Sequence, residues 1–414
     1  MSCPLPKWSF MSDFSLTRRD FIHSSATALA AGAVLANLPQ SLFAEGVPFE
    51  HDPYNDNTVV RVYDPSVSSF VFGTTEKNFY YRTFDIGKLQ HMLETGLLQL
   101  SGAATPDAAW RKLLPGLSTA SKIAVKININ CAHELEGDHG AHWASAPNTS
   151  PSMMAALAKS LEKAGIPQQN VTFFDRSRTF EKEWKADLFA QCPNVLAQGL
   201  KEVAGSGTSI VLSNGLPSIE IPQPVMAADY LINLHLFKKH YSGATGAMKN
   251  LLGLADNVGK IAHQGGAKEF HTGPLLKEIS MNAEIRKRAV LCICEAVFGN
   301  RLPTENIGPL QKTDAFPNGK PSSLIVSRSP FFHDLAILNY INYEMTGDVN
   351  TVCPDGNIGW LRNCANAVPN FTADVIGSAR LIDTPSGSLL PPRDLAYPPA
   401  KLRFFSLGPR QIAG

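Results

Sequence analysis

The sequence predicts an α/β fold: a mainly parallel sheet flanked by helices, with a proline- and glycine-rich C-terminal wrap. Three observations carry this expectation. Short β-branched apolar runs alternate along the chain with longer runs rich in Ala, Leu and Lys. Gly and Pro punctuate the joins between them. Ionisable clusters follow directly on several of the apolar runs, and strand ends of this kind are where an open parallel sheet binds ligands.

The elements follow in order. Val59–Tyr63 reads as a strand and Lys88–Leu98 as a helix. Ile123–Ile129 is a β-branched strand. The segment from Ser152 to Ala164 is helical, stopped by Gly165 and Pro167. Val171–Phe174 is the next strand. Ile210–Ser213 and Ile219–Ile221 form a short β pair around Gly215-Leu216-Pro217. Tyr230–Leu234 is a strand, and Gly246–Leu254 starts a helix or a glycine-punctuated loop. Leu275–Arg288 is helical, Val290–Cys294 and Leu324–Ser327 are strands, and Phe332–Glu344 is a helix. After Gly347 the chain turns rich in Pro, Gly and Asn. The expected organisation is a targeting segment over 1–44, an N-terminal region of the mature domain over 45–121, an α/β core over 122–335, and a C-terminal helix and wrap over 336–414.

The 414 residues are enough for a sizeable buried core. Lys plus Arg total 37 against 36 Asp plus Glu, a net +1, which argues against a nucleic-acid partner because such binding neutralises many phosphates. Seven cysteines without a CxxC exclude a visible ligand set for a cysteine-ligated iron–sulfur cluster or a zinc ribbon. At the N-terminus, Ser15-Leu16-Thr17-Arg18-Arg19-Asp20-Phe21-Ile22 is a twin-arginine pattern. An Ala-rich apolar stretch to Leu38 follows, then the exit Leu42-Phe43-Ala44. The apolar run carries His23, Ser24, Ser25 and Thr27, so no permanent membrane span is expected. The twin-arginine export machinery is the implied partner and the periplasm, or another extracytoplasmic space, the implied location. A kinase or ATPase does not suit a compartment without ATP.

Four strand ends run into chemistry. After Ile129 come His133, Glu134, Glu136, Asp138, His139 and His142; after Phe174 come Asp175, Arg176 and Arg178; after Leu234 come His235, Lys238, Lys239 and His240; after Cys294 comes Glu295. If these strands are parallel, the clusters share one edge. His133, His139 and His142 with nearby carboxylates suit zinc, iron or nickel, or form a polar surface loop. In the run from His240 to Gly253, Gly243 and Gly246 permit close backbone approach, and Lys249 and Asn250 follow. Lys249 lies three residues after Gly246 and Asn250 stands where a Ser or Thr would be, so the run departs from the P-loop spacing. It reads either as an anion site built on backbone N–H groups or as a glycine-rich turn with a solvated lysine. Cys292 and Cys294 alternate on a strand and are expected to face one packed side. His271 and His333 read as surface or capping residues. Asp334 reads as a carboxylate reaching the cleft or capping its helix.

Residues 228–233, 237–240, 245–253 and His263 resemble the central signature of the DUF362 family. Val125-Lys126-Ile127-Asn128, Ala164-Gly165, Gly308-Pro309 and the segment from Ser329-Pro330 to Asp334 agree in order. Some members of that family add an iron–sulfur module, whose cysteine spacing this sequence lacks. The order His240, Gly243, Gly246, Lys249, His263 is also similar to the core of the nickel-pincer lactate racemase family, with different spacings. That resemblance implies Lys249 as the attachment point of a cofactor, His263 as a metal ligand, His240 as the proton-transfer residue, and Asp175, Arg176 and Arg178 as phosphate contacts.

The expectation is an exported enzyme that uses a transition metal (nickel, iron or zinc) or an organometallic cofactor for proton or hydride transfer on a small anionic substrate. The catalytic residues would be His240 and Lys249. The cofactor contacts would be Lys249, Gly243, Gly246, Asn250, Asp175, Arg176 and Arg178, and the metal ligands His263 with His133, His139 or His142. A non-catalytic metal or cofactor carrier for an exported partner is the alternative.

Overall fold

The structure is a computed structural model that describes residues 54, 56, 58–72, 79–129, 147–213, 215–240, 243–255, 275–300, 307–310, 316, 318–339, 380–384, 392–395 and 402–405. The chain divides into units 1–50 and 51–414, and every described residue belongs to the second. None of the described helices is long and apolar enough to cross a membrane.

The strands are β1 (Thr58–Tyr63), β2 (Ile123–Lys126), β3 (Val171–Phe174), β4 (Leu196–Gln198), β5 (Gly205–Ile210), β6 (Ile219–Pro222), β7 (Tyr230–His240), β8 (Gly243–Ala244), β9 (Ala289–Asn300), β10 (Ser323–Ser327), β11 (Arg380–Thr384), β12 (Pro392–Leu395) and β13 (Leu402–Phe405). The main sheet runs β11-β1-β10-β9-β7-β2-β3-β4, with β8 hooked on β7. On that path every strand but β10 points the same way: β2 is parallel to β3 and β7, β3 to β4, β7 to β9 and β1 to β11, while β10 is antiparallel to both β9 and β1. The expected mainly parallel sheet is present.

Helices cover both faces, as a parallel sheet requires. On one face lie α1 (Ile86–Ser101), α2 (Pro106–Leu113), α3 (Pro151–Lys163) and α4 (Lys182–Gln191), packing Leu93, Trp110, Met153 and Trp184 against Val125, Ile232, Ile293 and Val326. On the other lie α5 (Gln223–Met226), α6 (Ala247–Asn250), α7 (Leu275–Met281), α8 (Ala283–Arg288) and α9 (Pro330–Asn339), packing Val225, Met248, Leu276, Ile285 and Phe331 against Ala124, Leu231, Cys294 and Ile325. Alternate residues of each strand thus go to alternate faces.

Local chemistry explains the ends. Asp85 caps α1 through Lys88 N–H, and Gly102 closes it in the left-handed conformation at φ 64°. Thr105 caps α2 with Pro106 at its first turn, and Ser150 caps α3 with Pro151 likewise. The helical run expected over Leu275–Arg288 is two helices, because Asn282 turns its side chain onto Glu284 N–H and starts α8. The expected β pair is β5 with β6, shifted upstream on its first strand. Strand β11, from the region expected to wrap, completes the sheet beside β1.

Candidate functional site

The chain goes from β2 outward to β3 and β4, then returns to place β7 on the other side of β2. The β2/β7 boundary is therefore a topological switch point, and the crevice beyond the carboxyl ends there is the default ligand site of an open α/β sheet. The ends of β2, β3, β7 and β9 do lie on one edge, since all four are parallel.

Asp175 is the first residue after β3 and is 1% exposed. Its Oδ2 accepts from Lys126 Nζ at 3.1 Å and Ile129 N–H at 3.3 Å; its Oδ1 accepts from Ser177 N–H at 2.8 Å and Ser177 Oγ at 2.6 Å. Lys126 is fully buried, and burial drives its ammonium pKa down, with Asp175 pulling the other way. Lys126 also donates to Asn250 Oδ1 at 3.3 Å, an oxygen shared with Asn128 Nδ2 at 3.1 Å. Asn250 Nδ2 donates to Asn233 Oδ1 at 2.8 Å and to Lys126 O at 3.2 Å, and Asn233 Nδ2 donates to Ala247 O at 2.7 Å. The segment 245–254 is thereby fastened across the switch point.

Two glycines in that segment are steric requirements. A Cβ on Gly253 would sit 2.5 Å from Lys126 Nζ, and one on Gly246 would sit 2.2 Å from Asp334 Oδ1. Asp334, from α9, caps α6 from outside: its carboxylate accepts from Ala247 N–H at 2.5 Å and Met248 N–H at 2.9 Å. Burial pushes its pKa up to about 7, with those two N–H groups pulling it back.

Lys249 follows on the same turn. It is 8% exposed, and its pKa is well below the ordinary lysine value because burial disfavours its charge and Lys238, itself buried, repels it. An amine so placed shifts toward the neutral, nucleophilic form.

Beneath this segment, His235 of β7, Cys294 of β9 and His333 of α9 meet. His235 and Cys294 are register partners across the parallel pair. The two imidazole Nε2 atoms are 2.8 Å apart, and a ring nitrogen of each histidine and the Cys294 sulfur lie within 4.8 Å of one another. All three residues are buried. Burial lowers the His235 pKa to about 4, burial and then His235 hold the His333 pKa well below its ordinary value, and burial raises that of the Cys294 thiol. This is a group of donors that can hold a metal ion.

The family profile described as "Domain of unknown function (DUF362)" matches residues 123–339, just over half of the chain. The chain belongs to the DUF362 family. No curated protein matches this DUF362 chain. Among solved structures it is similar to the lactate racemase apoprotein from Thermoanaerobacterium thermosaccharolyticum, at 12% identity and a TM-score of 0.36, over 61% of this chain and 55% of that one. The matched part is thus a little over half of the racemase chain's length.

The expected site residues of this DUF362 chain do not all come together. Asp175 and Asn250 come together through Lys126, and Gly246 and Lys249 lie on the same fastened segment as Asn250. Arg176 is beside them but engaged: its N–H donates to Gly253 O at 2.9 Å, and its guanidinium donates to Glu220 O at 2.9 Å and Glu220 Oε2 at 3.0 Å. Arg178 is half-buried and donates to Ser177 O. The backbones of His240 and Gly243 pair at the tip of the β7–β8 hairpin. His263, His133, His139 and His142 lie outside the described residues. His333, expected at the surface or as a cap, is instead buried, because α9 lies flat on the sheet with Phe331, Phe332 and Ile337 in the core.

Proposed function

We propose that this DUF362 protein is an exported, cofactor-dependent enzyme that moves a proton or hydride on a small anionic substrate. One observation carries the reading: Lys249, buried beside Lys238, stands on a turn pinned by Asn250, Asn233 and Asp334 over the switch point of the sheet. Two buried lysines close enough to repel each other, Lys249 on the fixed turn and Lys238 on β7, favour an anion and orient it. Lys249 in its neutral form is the attachment point for an electrophilic cofactor or carbonyl substrate. His240, at the β7 end of the β7–β8 hairpin two residues beyond Lys238, is the proton-transfer residue, a role for which an imidazole suits neutral pH. When bound, a transition metal or organometallic group would supply the electron-accepting centre; His263 with His133, His139 or His142 are its expected ligands. Export rests on the Arg18-Arg19 pattern, with the twin-arginine machinery as partner and the periplasm as destination.

The test is anaerobic purification of the mature chain from the periplasm of a twin-arginine-competent host. Intact mass reads any adduct on Lys249, and exchange of the α-proton of small hydroxy- and amino-carboxylates in deuterated water reads turnover. We expect an adduct that Lys249→Ala abolishes, and exchange that His240→Ala abolishes while the adduct persists. An adduct without exchange on any carboxylate makes the protein a cofactor carrier. Bare polypeptide mass with no exchange removes the reading altogether.

A further inference from the structure

We propose that His235, Cys294 and His333 form a buried, three-ligand site for one thiophilic divalent metal ion of the zinc class, separate from the histidines expected around Lys249. The geometry is the argument. The sites sit on three elements that the fold fixes independently: β7, its parallel neighbour β9, and α9 packed across them. His235 Nδ1 lies 3.2 Å from Leu236 O. With the proton on Nδ1, that backbone carbonyl sets the tautomer and leaves the Nε2 lone pair facing His333 Nε2 at 2.8 Å. Without an ion, one proton must sit between the two Nε2 atoms. A tetrahedral ion with bonds of about 2.0–2.1 Å needs them roughly 3.3 Å apart. The required opening is about half an ångström, and the rings already cross at 79° with centroids 4.8 Å apart. Cys294 completes an N2S set, which selects zinc, cobalt or nickel over calcium and magnesium.

Binding is balanced by one proton: the Cys294 thiol gives up its hydrogen to solvent as the sulfur–metal bond forms, and both imidazoles bind neutral. Because all three residues have no exposed surface, the ion enters before the fold closes and then exchanges slowly. The three protein donors leave a fourth position for water or a small anion. His333 is followed by Asp334, whose carboxylate caps Ala247 and Met248. An ion on His333 therefore also holds the turn that bears Lys249.

The experiment uses the full chain, unfolded under reducing conditions with chelator and refolded with one equivalent of cobalt(II). We expect one cobalt per chain with the d–d bands of a tetrahedral ion and a thiolate-to-cobalt charge-transfer band. Cys294→Ser should lose the charge-transfer band, and His333→Ala should bind cobalt at least tenfold more weakly. Cys131→Ser, two residues before His133 in the sequence, should keep the full spectrum. Deuterium exchange on the wild-type chain should show the Ala247 and Met248 amides slower with metal than without. Wild-type protein that refolds without taking up cobalt, or a charge-transfer band that survives Cys294→Ser, overturns the proposal. Both results are independent of whether Lys249 carries an adduct, and the wild-type spectrum decides even if a variant fails to fold.

Discussion

Lys126 on β2 donates to Asp175 after β3 across 3.1 Å, and the two side chains are only 1% and 2% exposed. The pair bridges two neighbouring parallel strands at the rim where the segment 245–254 is fastened. Removing one partner leaves the other charge buried and uncompensated. Asp175→Ala and Lys126→Met should each cost about 3–5 kcal/mol. Lys126→Met combined with Asp175→Leu should cost less than the two singles added, because no lone charge remains. Urea denaturation at constant m-value measures all three. Strictly additive costs would show that the pair is not coupled.

Gly253 tolerates no side chain against Lys126. Its Cβ would lie 2.5 Å from Nζ, 2.7 Å from Cε and 3.0 Å from Asp175 Oδ1. Gly253→Ala should therefore destabilise by about 1–3 kcal/mol, the usual range for overpacking a filled core. A thermal melt unchanged from wild type would mean that the segment lifts away at no cost.

Asp334 performs for α6 what Gly246, lacking a side chain, cannot do itself. Asp334→Ala removes the acceptor of two backbone N–H groups and should cost about 1–2 kcal/mol. Its signature is local: the Ala247 and Met248 amides should exchange faster while those of β2 and β3 keep their protection. Asp334→Asn retains an acceptor oxygen and should fall between the two.

Glu220 provides a pH test. Its carboxyl is held below the ordinary range, first by the Gly207 N–H and then by Arg176. A depressed folded-state pKa gives stability that is present above the ordinary value of 4.5 and is lost as pH falls through the lower folded value. Glu220→Gln keeps an acceptor for Gly207 but not the charge for Arg176. The difference in thermal midpoint between wild type and variant should shrink as pH drops from about 5 to 3. A difference independent of pH would assign the effect to packing.

The apolar runs marked where strands begin better than where they end. β7 extends to His240 and β9 to Asn300, well past the runs that ended at Leu234 and Cys294. The reason is that His235 and Lys238 look like a loop when counted singly, although both are buried, as is the polar Asn233 inside the run. Partners supplied by other segments, Asn250 and Ala247 for Asn233 and His333 for His235, make that burial tolerable. Helix α2 carries readable start signals in Thr105 and Pro106. Helix α4 buries only Trp184 and Leu188 and has almost no apolar stripe to find. That Asp175 lies on the same rim as the ends of β2 and β7 follows from parallel strands ending in polar clusters. The meeting of His235, Cys294 and His333 had no spacing to announce it. It depends on the register of two strands and on α9 lying across them, which is tertiary information.

The family segment begins at β2 and stops with α9, yet its outermost strand, β10, is hydrogen-bonded to β1, which lies upstream, and β1 in turn to β11, which lies downstream. The inherited unit and the folding unit are therefore different lengths of polypeptide. A recombinant fragment trimmed to 123–339 would strip α1 from the sheet and bare the peptide groups along β10, a template for strand-by-strand self-association. Work on the chemistry of this domain needs both flanks attached.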